Sequence, residues 1–400
     1  MTIAIVLPQP PGYSETFFRS KIKGLQASGH KVILVTAATD RVFDLCRHIE
    51  NPKVYKNSIS QVFSMLLVFV SLLPYSNRVF KFIRIEQKEG MSFKRIIEKI
   101  YINASLLKLK MDWLHFGFAT MALERESVAK SIGAKLAVSF RGYDIGVYPL
   151  THPNCYTKLW KFADKVHYIS DDLYTKAIKL GLPSTIPAQK IAPAVNSIVF
   201  QLKGVNEVEE KPIFLTIGRL HWKKGFVSML EALSELNKKG IDFEYRIIGE
   251  GDDYERIAFA AHQLKISDKI QFLGKLEQKD VISNLEKADY YLQYSIQEGF
   301  CNAVLEAQAI GKLCLVSDAE GLSENVIDQQ TGWVVPRQNP TYLAEKIVEI
   351  IQLPYLVKMR ISKAANKRVI KDFNLIKQKS EFLKFYELRN LNTYEKSLNN

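Results

Sequence analysis

Cysteine is scarce in this 400-residue chain. Cys46, Cys155, Cys301 and Cys314 stand far apart, without the spacing of a metal knuckle or a small disulfide framework. That argues against zinc-ribbon and disulfide-stapled folds. No Gly-x-Gly-x-x-Gly follows the first apolar run, Thr2-Ile-Ala-Ile-Val-Leu7, which argues against a dinucleotide-binding dehydrogenase. The N-terminus also shows no signal-peptide pattern, so a cytoplasmic protein is expected. The most apolar stretch, Val62 to Leu73, stops at Pro74, short of the roughly 20 residues that cross a bilayer. It is read as no transmembrane helix.

What the chain does have is length and positive charge. Four hundred residues exceed what one hydrophobic core usually supports, so two domains are expected. The net charge is +13 and is unevenly placed: residues 1–200 carry 27 Lys and Arg against 14 Asp and Glu, whereas residues 201–400 carry 28 of each. A surplus confined to one half suggests an anionic partner there, whether a membrane surface, a lipid-linked phosphate or nucleic acid. Behind the apolar stretch, Arg78, Lys81, Arg84, Lys88, Lys94, Arg95 and Lys99 outnumber Glu86, Glu89 and Glu98. An apolar helix followed by a cationic one suits a membrane interface; taken alone, residues 62–73 read equally well as a buried core helix.

The second half alternates short apolar strands with amphipathic helices. Strands are predicted at Ile213–Ile217, Phe243–Ile248, Ile270–Phe272, Tyr290–Gln293, Leu313–Val316 and Trp333–Val335, with helices from Phe226, at Tyr254–Leu264, at Gln278–Lys287 and from Thr341. This pattern means βαβ units and a parallel sheet covered on both faces. The first half predicts strands near Ile3–Leu7, Val32–Val35, Trp113–His115, Leu136–Val138, Val166–Ile169 and Ile191–Ala192, and helices over Ser14–Ala27 and Asp171–Leu180. The expected α/β architecture is two Rossmann-like domains, 1–200 and 201–371, joined by a polar linker within 196–211. Residues 372–400 are expected to contribute a helix that packs back across the domain junction, and ligands to bind at the carboxyl ends of the strands.

The chemistry-bearing residues follow those strand ends. Gly218-Arg219-Leu-His-Trp-Lys-Lys224-Gly225 places a basic pair after the first strand of the second domain, suited to a diphosphate. Gly249 and Gly251 follow the next strand. Glu298 and Glu306 flank Gly299-Phe300-Cys301-Asn302 after Tyr290–Gln293, where a turn into a helix would aim backbone N–H groups at phosphate. Glu306 would accept from ribose hydroxyls, and Glu298 would meet the group carried by the phosphates. Alternatively, one glutamate caps the helix and the other faces solvent.

Taken with Ile270-Gln-Phe-Leu-Gly274, Ala288-Asp289 and Thr331-Gly332, these motifs resemble retaining glycosyltransferase family 4, which has the GT-B fold. Pro11-Gly-Tyr-Ser14-Glu15-Thr16-Phe17, Gly29-His30-Lys-Val32, Leu114-His115-Phe116-Gly117 and Ser139-Phe-Arg-Gly-Tyr-Asp144-Ile resemble the bacterial exopolysaccharide subgroup, such as colanic acid glycosyltransferases. The resemblance implies transfer of a sugar from a UDP- or GDP-type sugar nucleotide, with retention and without a metal or other cofactor. It implies a lipid-linked or oligosaccharide acceptor bound by the first domain, no nucleic acid, and peripheral attachment to the cytoplasmic face of the inner membrane. A same-fold sugar-nucleotide epimerase and an inactive nucleotide-sugar binder are the alternatives.

On this reading Arg219 and Lys224 hold the diphosphate, with help from the amides of Phe300, Cys301 and Asn302, and Glu298 holds the donor sugar. Gly12 would lie close to the phosphates, and His115, ending its strand, close to the sugar. Arg141 stands where the family often has histidine and cannot be a neutral base. Asp144 would orient the acceptor or stabilise its own loop through Asx-type bonds.

Overall fold

The computed structural model describes residues 1–12, 16–196, 198–205 and 211–387. Tyr13, Ser14 and Glu15 of the N-terminal motif, Ser197 and 206–210 of the expected linker, and 388–400 at the C-terminus lie outside the described residues. The chain divides into two compact units. The first takes Met1–Tyr168, Tyr174–Ile191 and the chain from Gln378 onward; the second takes Ile169–Leu173 and Ala192–Lys377.

The first unit is built on a parallel sheet of seven strands: β1 (Thr2–Val6), β2 (Lys31–Thr36), β3 (Arg47–Glu50), β4 (Trp113–Phe116), β5 (Lys135–Phe140), β6 (Lys165–Tyr168) and β7 (Ala188–Lys190), in the order β3-β2-β1-β4-β5-β6-β7. The expected strand at Ile191–Ala192 lies instead at 188–190, and β3 was not anticipated. Both are outermost strands with partly exposed, polar-containing sequences, so neither carries an apolar run. Helix α1 (Thr16–Gln26) packs its Phe17, Phe18, Ile22 and Leu25 into a core shared with Ile3, Ile5, Leu34 and Trp113. Phe382, Phe385 and Tyr386 of the last helix, Leu375–Tyr386, complete that core.

Between β3 and β4 lie α2 (Ser58–Leu72), α3 (Ser76–Lys88) and α4 (Phe93–Ile102). Pro74 does not end the apolar helix. It occupies the start of a one-turn 3-10 segment, Leu73–Tyr75, where its missing N–H is among those a helix start leaves unpaired anyway. The helical run therefore extends over Ser58–Lys88, 31 residues, long and apolar enough by length and composition to cross a membrane. The length on which a spanning helix was ruled out is thus corrected. Only 6% of its most apolar window is buried, so it is not a core helix either.

The second unit holds a parallel sheet of six strands, β8 (Ile213–Ile217), β9 (Glu244–Ile248), β10 (Ile270–Gly274), β11 (Tyr290–Gln293), β12 (Leu313–Ser317) and β13 (Trp333–Val335), in the order β10-β9-β8-β11-β12-β13. Its strands are short apolar runs, and helix Phe226–Lys238 turns Phe226, Met229, Leu230, Leu233 and Leu236 onto them at three- and four-residue spacing. In this sheet the strand order reverses between β8 and β11. Ligands of such sheets bind at that switch point, outside the carboxyl ends of the strands. Two Rossmann-like parallel-sheet units make this the GT-B fold.

Candidate active site

Two turns meet at the switch point of the second unit. The turn after β8 coils through the short helix Trp222–Lys224 into Gly225, and the turn after β11 runs from Tyr294 to Cys301 before helix Asn302–Ile310. Their backbones are bonded directly: the Lys223 carbonyl accepts from the Ile296 amide at 2.7 Å and from the Gln297 amide at 3.3 Å. Gly225 permits that approach. Its φ is +65°, and a Cβ there would sit 2.1 Å from the Tyr294 carbonyl oxygen.

This contact sets Lys224 against Glu298. The ammonium donates to a carboxylate oxygen of Glu298, with both side chains largely buried. Burial opposes the charge on Lys224, but the Glu298 carboxylate outweighs it and raises the lysine pKa. Arg219, one turn away, is exposed, and its guanidinium has no hydrogen bond or ion pair among the described residues. It is near enough to act electrostatically on Lys224. A paired cation beside an unpaired one is a fitting receptor for an oligophosphate.

Glu306 lies on the second turn of helix Asn302–Ile310. The helix is otherwise packed closely, with Val304, Leu305, Ala307, Gln308, Ala309 and Ile310 buried. Burial pushes the Glu306 carboxyl up to about 7, and it has no hydrogen-bond partner among the described residues. A partly enclosed acceptor without a donor is suited to ligand hydroxyls. At the helix start, the Cys301 amide is not available for phosphate: it donates to Asn325 Oδ1 at 2.9 Å. No side chain caps the Phe300 or Asn302 amide among the described residues. The Phe300 ring is buried against Phe373, 5.6 Å between centroids, and Gly299 approaches Gly321 so closely that a Cβ on the latter would meet the Gly299 oxygen at 1.9 Å.

Gly249 and Gly251 are explained by packing of one turn on another. A Cβ on Gly249 would sit 1.9 Å from the Gly218 oxygen, and one on Gly251 2.1 Å from the Leu220 oxygen. The Leu220 amide donates to the Glu250 carbonyl at 3.0 Å. These glycines therefore shape the Arg219 turn.

Sequence reading missed the support behind Glu298. Tyr291, Gln293 and Ser295 form a relay: the Tyr291 hydroxyl donates to Gln293 Oε1 at 2.9 Å, Gln293 Nε2 to Ser295 Oγ at 2.8 Å, and Ser295 Oγ to Glu298 Oε2 at 3.4 Å. Arg337 donates to the Ile296 carbonyl at 2.9 Å, and the Glu298 amide to Glu320 Oε2 at 3.1 Å. The relay had a signal, since polar residues at every second position of an apolar strand share one buried face. Arg337 and Glu320 had none.

The remaining expected residues belong to the first unit. His115 does not end its strand, because Phe116 follows it in β4, and its imidazole is fully buried. Lys21 Nζ lies 3.2 Å and the Tyr386 hydroxyl 2.5 Å from its Nδ1, and Ser139 Oγ lies 2.7 Å from Nε2. Ser139 also reaches His167 Nδ1 at 2.7 Å. Burial drives the pKa of Lys21, His115 and His167 well below their ordinary values. The expectation that His115 meets the sugar is therefore corrected to a sealed residue that ties β4 to α1 and to the last helix.

Asp144 stabilises its own loop. Oδ1 accepts from the amides of Arg141 and Gly142 at 3.0 and 2.9 Å, and Oδ2 from the Ala119 amide at 2.9 Å. The Arg141 guanidinium lies over the rings of Phe17 and Phe18, 3.6 and 4.4 Å from their centroids. Gly12 follows β1, and a Cβ there would meet nothing within 4 Å, so packing among the described residues does not require glycine.

Comparison with known proteins fits the geometry of the second unit. Residues 200–368 match the family of glycosyl transferases group 1. This region is similar to a group 1 glycosyltransferase domain. Proteins similar to this chain include a putative colanic acid biosynthesis glycosyltransferase, WcaL of Escherichia coli, 28% identical over 271 residues, which are 65% of this chain and 66% of the relative. The chain thus spans just under two thirds of that protein's length. A Campylobacter jejuni N,N'-diacetylbacillosaminyl-diphospho-undecaprenol alpha-1,3-N-acetylgalactosaminyltransferase is 31% identical over 180 residues, 45% of this chain and 46% of its own. Among solved structures, Anabaena HepE in complex with UDP-glucose superposes with a TM-score of 0.71 at 15% identity, covering 96% of this chain and 98% of that one. At that identity the likeness speaks for the fold alone.

Proposed function

We propose that the protein is a retaining glycosyltransferase that moves a sugar from a nucleoside-diphosphate sugar to a lipid-linked saccharide during bacterial surface polysaccharide synthesis, at the cytoplasmic face of the membrane. One observation carries the reading: Lys224 paired with Glu298 at the switch point, beside the unpaired Arg219 and Glu306. The similarity to a group 1 domain and the lipid-linked substrate in the Campylobacter relative's name support the same reading.

In this mechanism Arg219 and Lys224 bind the diphosphate, Glu306 accepts from ribose hydroxyls, and Glu298 holds the donor sugar while anchoring Lys224. The bond between the anomeric carbon and the diphosphate oxygen breaks, and the acceptor oxygen bonds to the same face. The acceptor proton passes to the departing diphosphate. Catalysis then lies in preset cations aimed at charge that grows on the leaving group.

A panel of UDP- and GDP-sugars, scored by diphosphate release with and without a polyprenyl-diphosphate saccharide, tests the proposal. Acceptor-dependent release is expected. Turnover of donor to an altered free sugar without acceptor would identify an epimerase instead.

A further inference from the structure

The long helix of the first unit presents an apolar stripe that none of the unit's described residues covers. Ile59, Phe63, Leu66, Val70, Leu73 and Phe80 are all more than half exposed, and apart from the gap before Phe80 they recur every three or four residues, which aligns them along one side. Next to them opens an apolar groove of about 330 Å³ between α2, α3 and α4, lined by Phe69, Leu72, Val79, Phe80, Ile97 and Ile100. Patches of this kind mark interaction surfaces.

The other side of the same helix is bound to the unit along most of its length. The Ser64 hydroxyl pairs with Tyr101 at 2.8 Å, Lys108 donates to Ser71 at 2.6 Å, and Arg78 donates to the carbonyls of Leu107 and Leu109 at 3.1 and 2.7 Å. At the far end Glu86, fully buried, accepts from Lys99 at 2.6 Å and from Lys158 at 2.8 Å. Burial opposes the charge on its carboxyl, but these two bonds and a third from the Ser127 hydroxyl outweigh it and hold the pKa below the usual range. A helix bonded sideways from residue 64 to residue 86 cannot thread a bilayer with those bonds intact. Its 31 residues span about 46 Å, longer than the roughly 30 Å hydrocarbon core, and lie instead along a surface.

Charge identifies what covers the stripe. Lys81, Arg84, Lys88 and Lys94 are exposed on α3 and at the start of α4, whereas Lys99 and Arg78 are used internally. A cationic belt beside an apolar stripe complements anionic headgroups over acyl chains. A second copy of the chain is disfavoured, since a two-fold contact through this face would set one belt near its equal.

We propose that α2 and α3 lie in the plane of an anionic bilayer, with the Ile59–Phe80 stripe sunk among the acyl chains and the lysines and arginine of α3 at the headgroups. This deepens, and rests on, the membrane attachment proposed above.

The full chain is tested by sedimentation with phosphatidylglycerol–phosphatidylcholine vesicles, an assay that needs neither donor nor acceptor. Wild type is expected to bind, more weakly in 0.5 M salt but with a remainder that salt does not remove. Leu66→Asp/Val70→Asp, checked for folding by circular dichroism, is expected to lose at least tenfold in affinity at both salts. Lys81→Glu/Arg84→Glu is expected to weaken binding at low salt and to converge with wild type at high salt. A Leu66→Trp variant is expected to be quenched by lipids brominated in the acyl chain.

Wild type that ignores vesicles, an aspartate variant that binds as wild type does, or a tryptophan that is not quenched would overturn the inference. So would a dimer in sedimentation velocity that the aspartate variant dissolves while wild type leaves vesicles alone. Retention of the full chain in membranes through an alkaline carbonate wash would overturn the in-plane arrangement. Diphosphate release measured on the same preparations separates the two claims. Turnover without vesicle binding removes only the docking, and binding without turnover removes only the transferase reading.

Discussion

The two units each hold a polar cluster on a parallel sheet, and the clusters are built to opposite ends. In the first, Lys21, His115, Ser139, His167 and Tyr386 satisfy one another out of reach of solvent, and burial disfavours the charged forms of the lysine and both histidines. In the second, the Glu298 carboxylate favours the charged form of Lys224, while Arg219 and Glu306 have no hydrogen-bond partner among the described residues. A closed network spends its hydrogen bonds on the fold, and an open one has bonds left for a ligand. Histidine identity made the first cluster attractive for chemistry; its partners assign it to architecture.

The sharpest way to break this contrast is at Glu298. Glu298→Ala should lower transfer by about 10²–10³-fold, the scale of losing one preset electrostatic group in a dry site. The midpoint of thermal unfolding should move by only a few degrees. Unchanged turnover in that variant would remove Glu298 from the mechanism. His115→Ala should do the reverse. It strands Lys21, Ser139 and Tyr386 without their shared partner, at about 1–3 kcal/mol of stability, and leaves kcat per folded molecule near wild type. A large fall in kcat with an unchanged melting curve would return His115 to the active site.

A third test uses acid. His115 and His167 have folded pKa values below the ordinary 6.5, so the unfolded chain takes up protons first as the pH falls. Their stability is complete above about pH 6.5 and is lost below it, by up to about 1.4 kcal/mol per pH unit for each imidazole. Protection factors at the amides of β4 and β5, corrected for the intrinsic slowing of exchange with acid, should therefore fall between pH 7 and 5 more than at β8 and β11. An equal fall in both sheets would contradict the sealed cluster.

The legibility of the sequence follows the same divide. The strands of the second unit fall within two residues of their predicted bounds because each is a short apolar run between amphipathic helices, and Ile213–Ile217, Tyr290–Gln293 and Trp333–Val335 coincide. Arg47–Glu50 escaped because an outermost strand with exposed ends needs no apolar pattern. Pro74 misled because a proline at a helical start breaks nothing. Local runs identified Glu298 with Lys224 and Glu306. The ties from Glu320 and Arg337 are distant in sequence and visible only once β12 and β13 stand beside β11. His115 escaped correct assignment for the same reason: its Tyr386 partner is 271 residues away.

The smallest expected effect sharpens the comparison most finely, because it asks whether the open cluster uses its spare acceptor. Burial places the Glu306 carboxyl at about 7, so near neutrality it is divided between its two protonation states. Only the ionised form presents all its lone pairs to ribose hydroxyls. Nucleotide binding should therefore strengthen as the pH rises from 6 to 8, by no more than about tenfold, the change in ionised fraction across that interval. Calorimetric titration of a UDP-sugar, whose diphosphate does not titrate in this interval, should show this trend in wild type and a flat profile in Glu306→Gln, whose amide does not titrate. A wild-type affinity that falls as the pH rises would mean that the protonated acid is the binding form. In that case Glu306 would donate a hydrogen bond where this mechanism has it accept one.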